Sequence, residues 1–198
     1  RDPLWSRGLG DVYKRQVDIR LPIGENIRKL AGALGKPVDE IVVSVLNRPR
    51  HEQLIQEIRD AGAGTRLMSD GDVAGGINAA RHAARTDMCV GVGGSPEGIV
   101  TACAIKALGG HIQGRLWPRD DDERQRGIDA GLDMDKVYEA DDLVRGDNTI
   151  FVATGVTDGQ LVAGVRREHG YIYTESVVLR GASGTLRRIA SEPVSYTH

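Results

Sequence analysis

Short apolar runs alternate with stretches of helical period through the first two thirds of the chain. Residues 41–46, Ile-Val-Val-Ser-Val-Leu, make a β-branched run of the kind carried by a strand buried on both faces. Residues 51–61 then place Leu54, Ile55 and Ile58 at helical spacing. The alternation repeats: a strand over 65–69, an alanine-rich helix over 73–84 and a buried strand over 88–92. A helix follows over 97–108 with Ile99, Val100, Ala104 and Leu108, then a strand over 111–116. Upstream, residues 18–21 alternate polar and apolar like a half-buried strand. Residues 25–34 form a helix with Ile27, Leu30 and Leu34 on one face, stopped near Gly35 and Pro37. A charged surface helix is expected between 119 and 131, and strands over 148–156, 171–179 and 184–190. The β-α-β order through the middle implies an α/β fold with a largely parallel central sheet, and the strand-rich end suggests antiparallel additions.

Composition narrows the picture. The chain has 198 residues, long enough for a sizeable core. Only 4% are aromatic, so that core must be aliphatic. A net charge of −2 gives no support to nucleic-acid binding, so any phosphate recognition must come from local geometry. Cys89 and Cys103 show no metal-type spacing and no disulfide framework, which suits a reduced cytoplasmic protein. No stretch has the length and apolarity of a membrane span or a signal peptide. Residues 1–16 and 193–198 lack periodicity of either kind and read as non-native tails, resembling translated adapter sequence. The domain is expected to span 17–192.

Three motifs fall at strand-to-helix junctions: Asn47-Arg48-Pro49-Arg50-His51, Asp70-Gly71-Asp72, and Gly93-Gly94-Ser95-Pro96-Glu97-Gly98. In an open α/β sheet the carboxyl ends of the strands line a common crevice where ligands bind. Arg48 and Arg50 offer planar cationic forks that match phosphate oxygens, and Pro49 fixes the backbone between them. The following helix adds free N–H groups at its N-terminus. Alone, such a turn reads as a solvated basic loop, and the other two motifs reverse that preference. Asp70 and Asp72 suit sugar hydroxyls or a divalent cation, although Asp72 also reads as a helix N-cap. Gly93 and Gly94 allow close backbone approach, with Ser95 as an N-cap and Pro96 in the first turn. Glu97 is favoured there by the helix dipole alone, and as a metal ligand it needs partners from elsewhere. Neither a dinucleotide fingerprint nor a P-loop lysine is present. His51 and His82 lack partners for a nucleophilic triad, and no serine stands in a nucleophile elbow. His111 and His169 read as residues without a chemical role, and the turn from Gly155 to Gly159 as structural.

Taken together and in order, the segments R-P-R-H, D-G-D-V-A and G-G-S-P-E-G resemble the class II fructose-1,6-bisphosphatases. So do Gly114-Arg115-Leu116, the Asp147-Asn148-x-Ile150-Phe151-x-Ala153-Thr154-Gly155 segment and the closing Arg180-Gly181…Thr185-Leu186-Arg187-Arg188-Ile189. The likeness runs over residues 17–191. It implies a layered, inositol-monophosphatase-like sugar-phosphatase sandwich that removes the 1-phosphate of fructose 1,6-bisphosphate in gluconeogenesis. Sedoheptulose 1,7-bisphosphate is a second substrate of some members. By position, Arg48, Pro49 and Arg50 match the substrate-gripping segment, and many members have lysine where Arg48 stands. Asp70, Gly71 and Asp72 match the sugar-contacting loop, Gly94 a backbone contact to substrate, and Glu97 a ligand of Mn2+ or Mg2+.

One departure counts. The family's acidic D-P-x-D-G-T motif, its further metal carboxylates and a substrate-contacting tyrosine belong to an N-terminal half, and this sequence has no D-P-x-D-G-T. The chain is therefore expected to be the C-terminal portion of a homo-oligomeric parent, building the sugar and phosphate pocket without a complete catalytic set. A non-catalytic sugar-phosphate-binding module is the alternative. A nucleotide-binding transferase is a third reading, disfavoured by the missing lysine.

Overall fold

The computed structural model describes residues 17–69, 71–81 and 85–192. Both predicted tails lie outside the described residues, as do Asp70 and His82. The first element is helix α1 (Ile23–Leu34), whose apolar stripe buries Ile27, Leu30 and Ala31 before Gly35 ends it with φ 63°. Strand β1 (Val42–Leu46) follows, then a 3-10 turn (Pro49–His51) leading into α2 (Glu52–Asp60). Next come β2 (Gly64–Met68), α3 (Asp72–Ala79), β3 (Met88–Cys89) and α4 (Ser95–Ala107).

Strand β1 is the centre of a parallel sheet of order β2-β1-β3. Val42 to Leu46 pair in step with Gly64 to Met68, and Val43 and Ser44 pair with Met88 and Cys89. Alternation along β1 sends Val43 and Val45 to one face, where they join Ile27, Leu30, Ile55 and Ile58 in the first core. Ile27 and Ile58 are fully buried, and each such side chain contributes roughly 1.5–3 kcal/mol by leaving water. Helices α1 and α2 cover this face. On the other face Gly75 of α3 lies against the Met68 and Cys89 side chains.

Helices α3 and α4 form the next layer and close a second core. Ile77, Ala104 and Ala107 pack with Phe151, Val177 and Leu179 of an antiparallel sheet and with Leu161 of the loop after its first strand. That sheet comprises β6 (Ile150–Thr154), β7 (Arg166–Glu168), β8 (Tyr171–Arg180) and β9 (Thr185–Ser191), with β8 pairing to each of the others. A small ribbon of β4 (Gln113–Gly114) and β5 (Tyr138–Glu139) and helices α5 (Asp121–Asp129) and α6 (Ala140–Leu143) lie between. The layers run helix, parallel sheet, helix, antiparallel sheet, a mixed α/β sandwich as the sequence pattern implied.

Several expected elements differ. Residues 18–21 are a turn, because the Asp18 carboxylate accepts from the Arg20 backbone N–H at 3.0 Å and the Leu21 N–H donates to the Asp18 carbonyl at 3.0 Å. The buried Asn26 amide locks that turn through the Asp18 and Leu21 carbonyls. Strand pairing stops at Cys89 and at Gly114, short of the expected ends. Helix α5 appears as expected, capped by Asp120, whose carboxylate accepts from the Glu123 N–H at 2.7 Å.

Candidate functional site

Because β1, β2 and β3 are parallel, Leu46, Met68 and Cys89 end on one edge of the sheet. The three motifs follow those ends. In the first loop the Asn47 N–H donates to the Met68 carbonyl at 2.8 Å, tying the end of β1 to that of β2. Arg48 is half-buried and one of its guanidinium nitrogens donates to the Asn47 carbonyl at 3.3 Å. Pro49 opens the 3-10 turn, where its missing N–H is no loss. Arg50 is exposed, and its Nε donates to the Val92 carbonyl at 2.9 Å, fixing the guanidinium beside the third loop.

The second loop begins beyond Asp70, which lies outside the described residues. Gly71 occupies the N-cap of α3 with φ 82°, a left-handed conformation open to glycine at no steric cost. Asp72 is thus the first helical residue, not the cap that sequence suggested, and its Oδ1 accepts from the Val73 N–H at 2.9 Å. The other carboxylate oxygen points at the third loop: a Cβ on Gly93 would stand 2.8 Å from Asp72 Oδ2. A side chain at Gly93 would have to displace that oxygen. A Cβ on Gly94 would overlap the Glu97 carboxylate.

Gly94 is also the N-cap of α4, so Ser95 moves to the first helical position and makes no capping hydrogen bond. The reason is positional: Gly94 already supplies the extended backbone, with φ −72° and ψ 148°, that leads into the helix. Glu97 lies in the first turn, exposed to solvent. Among the described residues, no ion pair engages Arg48, Arg50, Asp72 or Glu97. Two cations and two anions thus stand at one edge with their charges uncommitted. Burial chiefly, and the Asp72 charge secondarily, push the nearby Cys89 thiol up to about 11, so it is not a nucleophile.

The donor chemistry at this edge suits a hard cation only in part. Asp72 and Glu97 offer carboxylate oxygens over adjacent glycines, as Mg2+ or Mn2+ prefer. Among the described residues no group of three His, Cys, Asp or Glu side chains is disposed to hold a metal ion. These residues do not by themselves make a complete catalytic metal centre. At the opposite end of α4 lies a small cavity lined by Lys106, Gly110, His111 and Glu139. Its Lys106 ammonium is already engaged by Asp141 at 2.8 Å and Asp147 at 3.4 Å.

The residue that sequence reasoning passed over is His51. It lacks a triad partner, yet its ring is 1% exposed and bonds the Leu46 carbonyl at the end of β1 and the Val92 N–H of the third loop. The available signal was a histidine directly after Arg-Pro-Arg, where a buried polar ring must find two partners.

Comparison with known proteins decides the lineage. The family model for bacterial, glpX-encoded fructose-1,6-bisphosphatase matches residues 9–193. The chain belongs to this family. Relatives include the class 2 fructose-1,6-bisphosphatase of Haemophilus influenzae, 39% identical over 196 aligned residues covering 92% of this chain and 59% of the relative. The fructose-1,6-bisphosphatase 1 class 2 of Escherichia coli K12 is likewise 39% identical, with 58% of its length covered. The chain therefore spans just under three fifths of the length of these fructose-1,6-bisphosphatases. Among its described residues no helix is long and apolar enough to cross a membrane.

Proposed function

We propose that this chain forms the sugar- and phosphate-binding part of a fructose-1,6-bisphosphatase that hydrolyses the 1-phosphate of fructose 1,6-bisphosphate. The observation that carries the reading is the uncommitted charge at the edge of the parallel sheet. Arg50 is braced by the Val92 carbonyl while its remaining guanidinium nitrogens face solvent, the arrangement of a phosphate fork held ready. Arg48 lies two residues away and supplies a second cation. Asp72 is oriented by its bond to the Val73 N–H and presents its free oxygen beside Gly93, where it can accept from a sugar hydroxyl. Asp70, Gly71 and Gly94 belong to the same edge by sequence. Pro49 keeps the arginines at fixed relative angle.

Glu97 is proposed as one ligand of Mn2+ or Mg2+. When bound, such an ion neutralises charge on the transferring phosphoryl group and activates water. That chemistry needs carboxylates beyond Asp72 and Glu97, and the relatives carry about two fifths of their length outside the aligned region. We therefore expect this chain to bind substrate and not to turn it over alone. Its two free cysteines, Cys89 and Cys103, accord with a cytoplasmic enzyme of gluconeogenesis, and the parent is expected to assemble as a homo-oligomer.

Isothermal titration with fructose 1,6-bisphosphate tests the reading. Saturable heat with one site, lost in Arg50→Ala and weakened with fructose 6-phosphate, is the expected result. Equal binding of both sugars would contradict a bisphosphate site, and binding unaffected by Arg50→Ala would place the phosphate elsewhere. Sedoheptulose 1,7-bisphosphate as a competing ligand separates the two substrate preferences.

A further inference from the structure

We infer that His51 is a positioning residue, a latch that fixes the distance between the arginine loop and the glycine loop; its role in substrate binding rests on the function proposed above. The ring lies beneath both loops and is buried. Nδ1 is 2.9 Å from the Leu46 carbonyl, and since a carbonyl only accepts, Nδ1 carries the proton. Nε2 is 2.8 Å from the Val92 amide nitrogen, which only donates, so Nε2 is the bare acceptor. The two partners thus select one neutral tautomer. A single rigid ring spans the end of β1 and the segment after β3.

Three further contacts make this a latch and not a filler. The Val92 peptide is held from both sides: its N–H by His51 and its carbonyl by Arg50 Nε at 2.9 Å. His51 and Arg50 are neighbours in one 3-10 turn, so this turn grips one residue of the glycine loop twice. Gly91 lies over the ring, where an added Cβ would stand 3.2 Å from Cε1 and 3.3 Å from Nε2. Beyond Val92 come Gly93 and Gly94, against which the Asp72 and Glu97 carboxylates are set. Rotation or loss of the His51 ring therefore moves the phosphate fork and both carboxylates relative to one another.

A purely space-filling role makes a different prediction. Phenylalanine keeps an aromatic ring, one atom larger, but has neither donor nor acceptor, whereas glutamine retains both. Amide hydrogen exchange of the whole chain, read residue by residue, distinguishes them. The Val92 N–H, although its residue is solvent-accessible, should be protected in the wild type. His51→Phe should raise exchange at Val92 at least tenfold while Val43 and Val45 in β1 keep their protection. His51→Gln should restore part of the protection. In the same variants the affinity for fructose 1,6-bisphosphate should fall about tenfold or more in Phe and less in Gln. If His51→Phe lowers protection uniformly, or leaves Val92 unchanged, the latch is overturned and the ring is core. If Val92 loosens in His51→Phe but the wild type binds no bisphosphate, the latch stands and the proposed function fails.

Discussion

The packing of α3 on α4 governs where Glu97 stands, and one glycine tests it. Gly76 lies at the crossing of the two helices, where an added Cβ would be 2.7 Å from Thr101 Cγ2 and 3.7 Å from Ile105 Cδ1. Thr101 has little freedom to yield: it is β-branched, and its hydroxyl donates to the Glu97 carbonyl at 2.7 Å. Ordinary carbon contacts lie at about 3.5–4.0 Å, so Gly76→Ala must drive the helices apart by roughly 1 Å. Overpacking of that kind costs about 1–3 kcal/mol, and the better helix propensity of alanine returns about 1 kcal/mol. The net expectation is a loss of up to about 2 kcal/mol. Gly32 in α1 supplies the control, because nothing lies within 4 Å of a Cβ there. Gly32→Ala should stabilise by about 0.5–1 kcal/mol. In urea, with a slope of about 2 kcal/mol/M, the first substitution lowers the midpoint by up to roughly 1 M and the second raises it by roughly 0.3 M. Unchanged slopes are required for that comparison. A midpoint that rises as much for Gly76→Ala as for Gly32→Ala would refute the helix contact.

Two further outcomes follow from the same geometry. Cys89 should resist alkylation at pH 8 until the chain is unfolded, and Asp72→Asn should bring its titration down from about 11. The folded thiol holds its proton more tightly than the unfolded one. Its contribution to stability is therefore whole below the ordinary value of 9.0 and is lost as pH rises through about 11. On the antiparallel sheet, Ile150 (62% exposed) and Val152 (58% exposed) alternate with the buried Phe151 and line the face turned away from the second core. Such a face favours self-association, so sedimentation should show concentration-dependent assembly that Val152→Thr with Ile150→Ser reduces. A monodisperse wild-type chain would contradict this.

The layered plan was legible because burial writes itself into periodicity. The β-branched run at 42–46 and the helical spacing of Ile55 and Ile58 can be satisfied only by a strand and a helix with one shared core. Residues 18–21 show where that signal misleads. Alternation over four residues is shared by strands and turns, and the Asp18 carboxylate closed a turn on its own backbone neighbour. Strand β7 was illegible for the opposite reason: Arg166-Arg167-Glu168 is polar throughout, and the hairpin is fixed by His169 at φ 52° followed by Gly170 at φ 83°. In the site, the motif residues were visible because strand-to-helix junctions carry them. What hid was the exact helix start. Gly71 and Gly94 took the cap positions that composition assigned to Asp72 and Ser95, which frees the Asp72 Oδ2 to face Gly93. His51 was hidden because its chemistry is directed at two backbone groups more than forty residues apart in sequence.

The most direct measurement is the thermal melt of the chain with and without millimolar fructose 1,6-bisphosphate. A ligand that binds the native state raises the midpoint by mass action, so folding and recognition are read together. A cooperative transition that rises with the bisphosphate, and returns to the ligand-free value in Arg50→Ala, is the predicted result. A cooperative transition that the bisphosphate leaves unmoved would contradict a sugar-phosphate site at the edge of the parallel sheet.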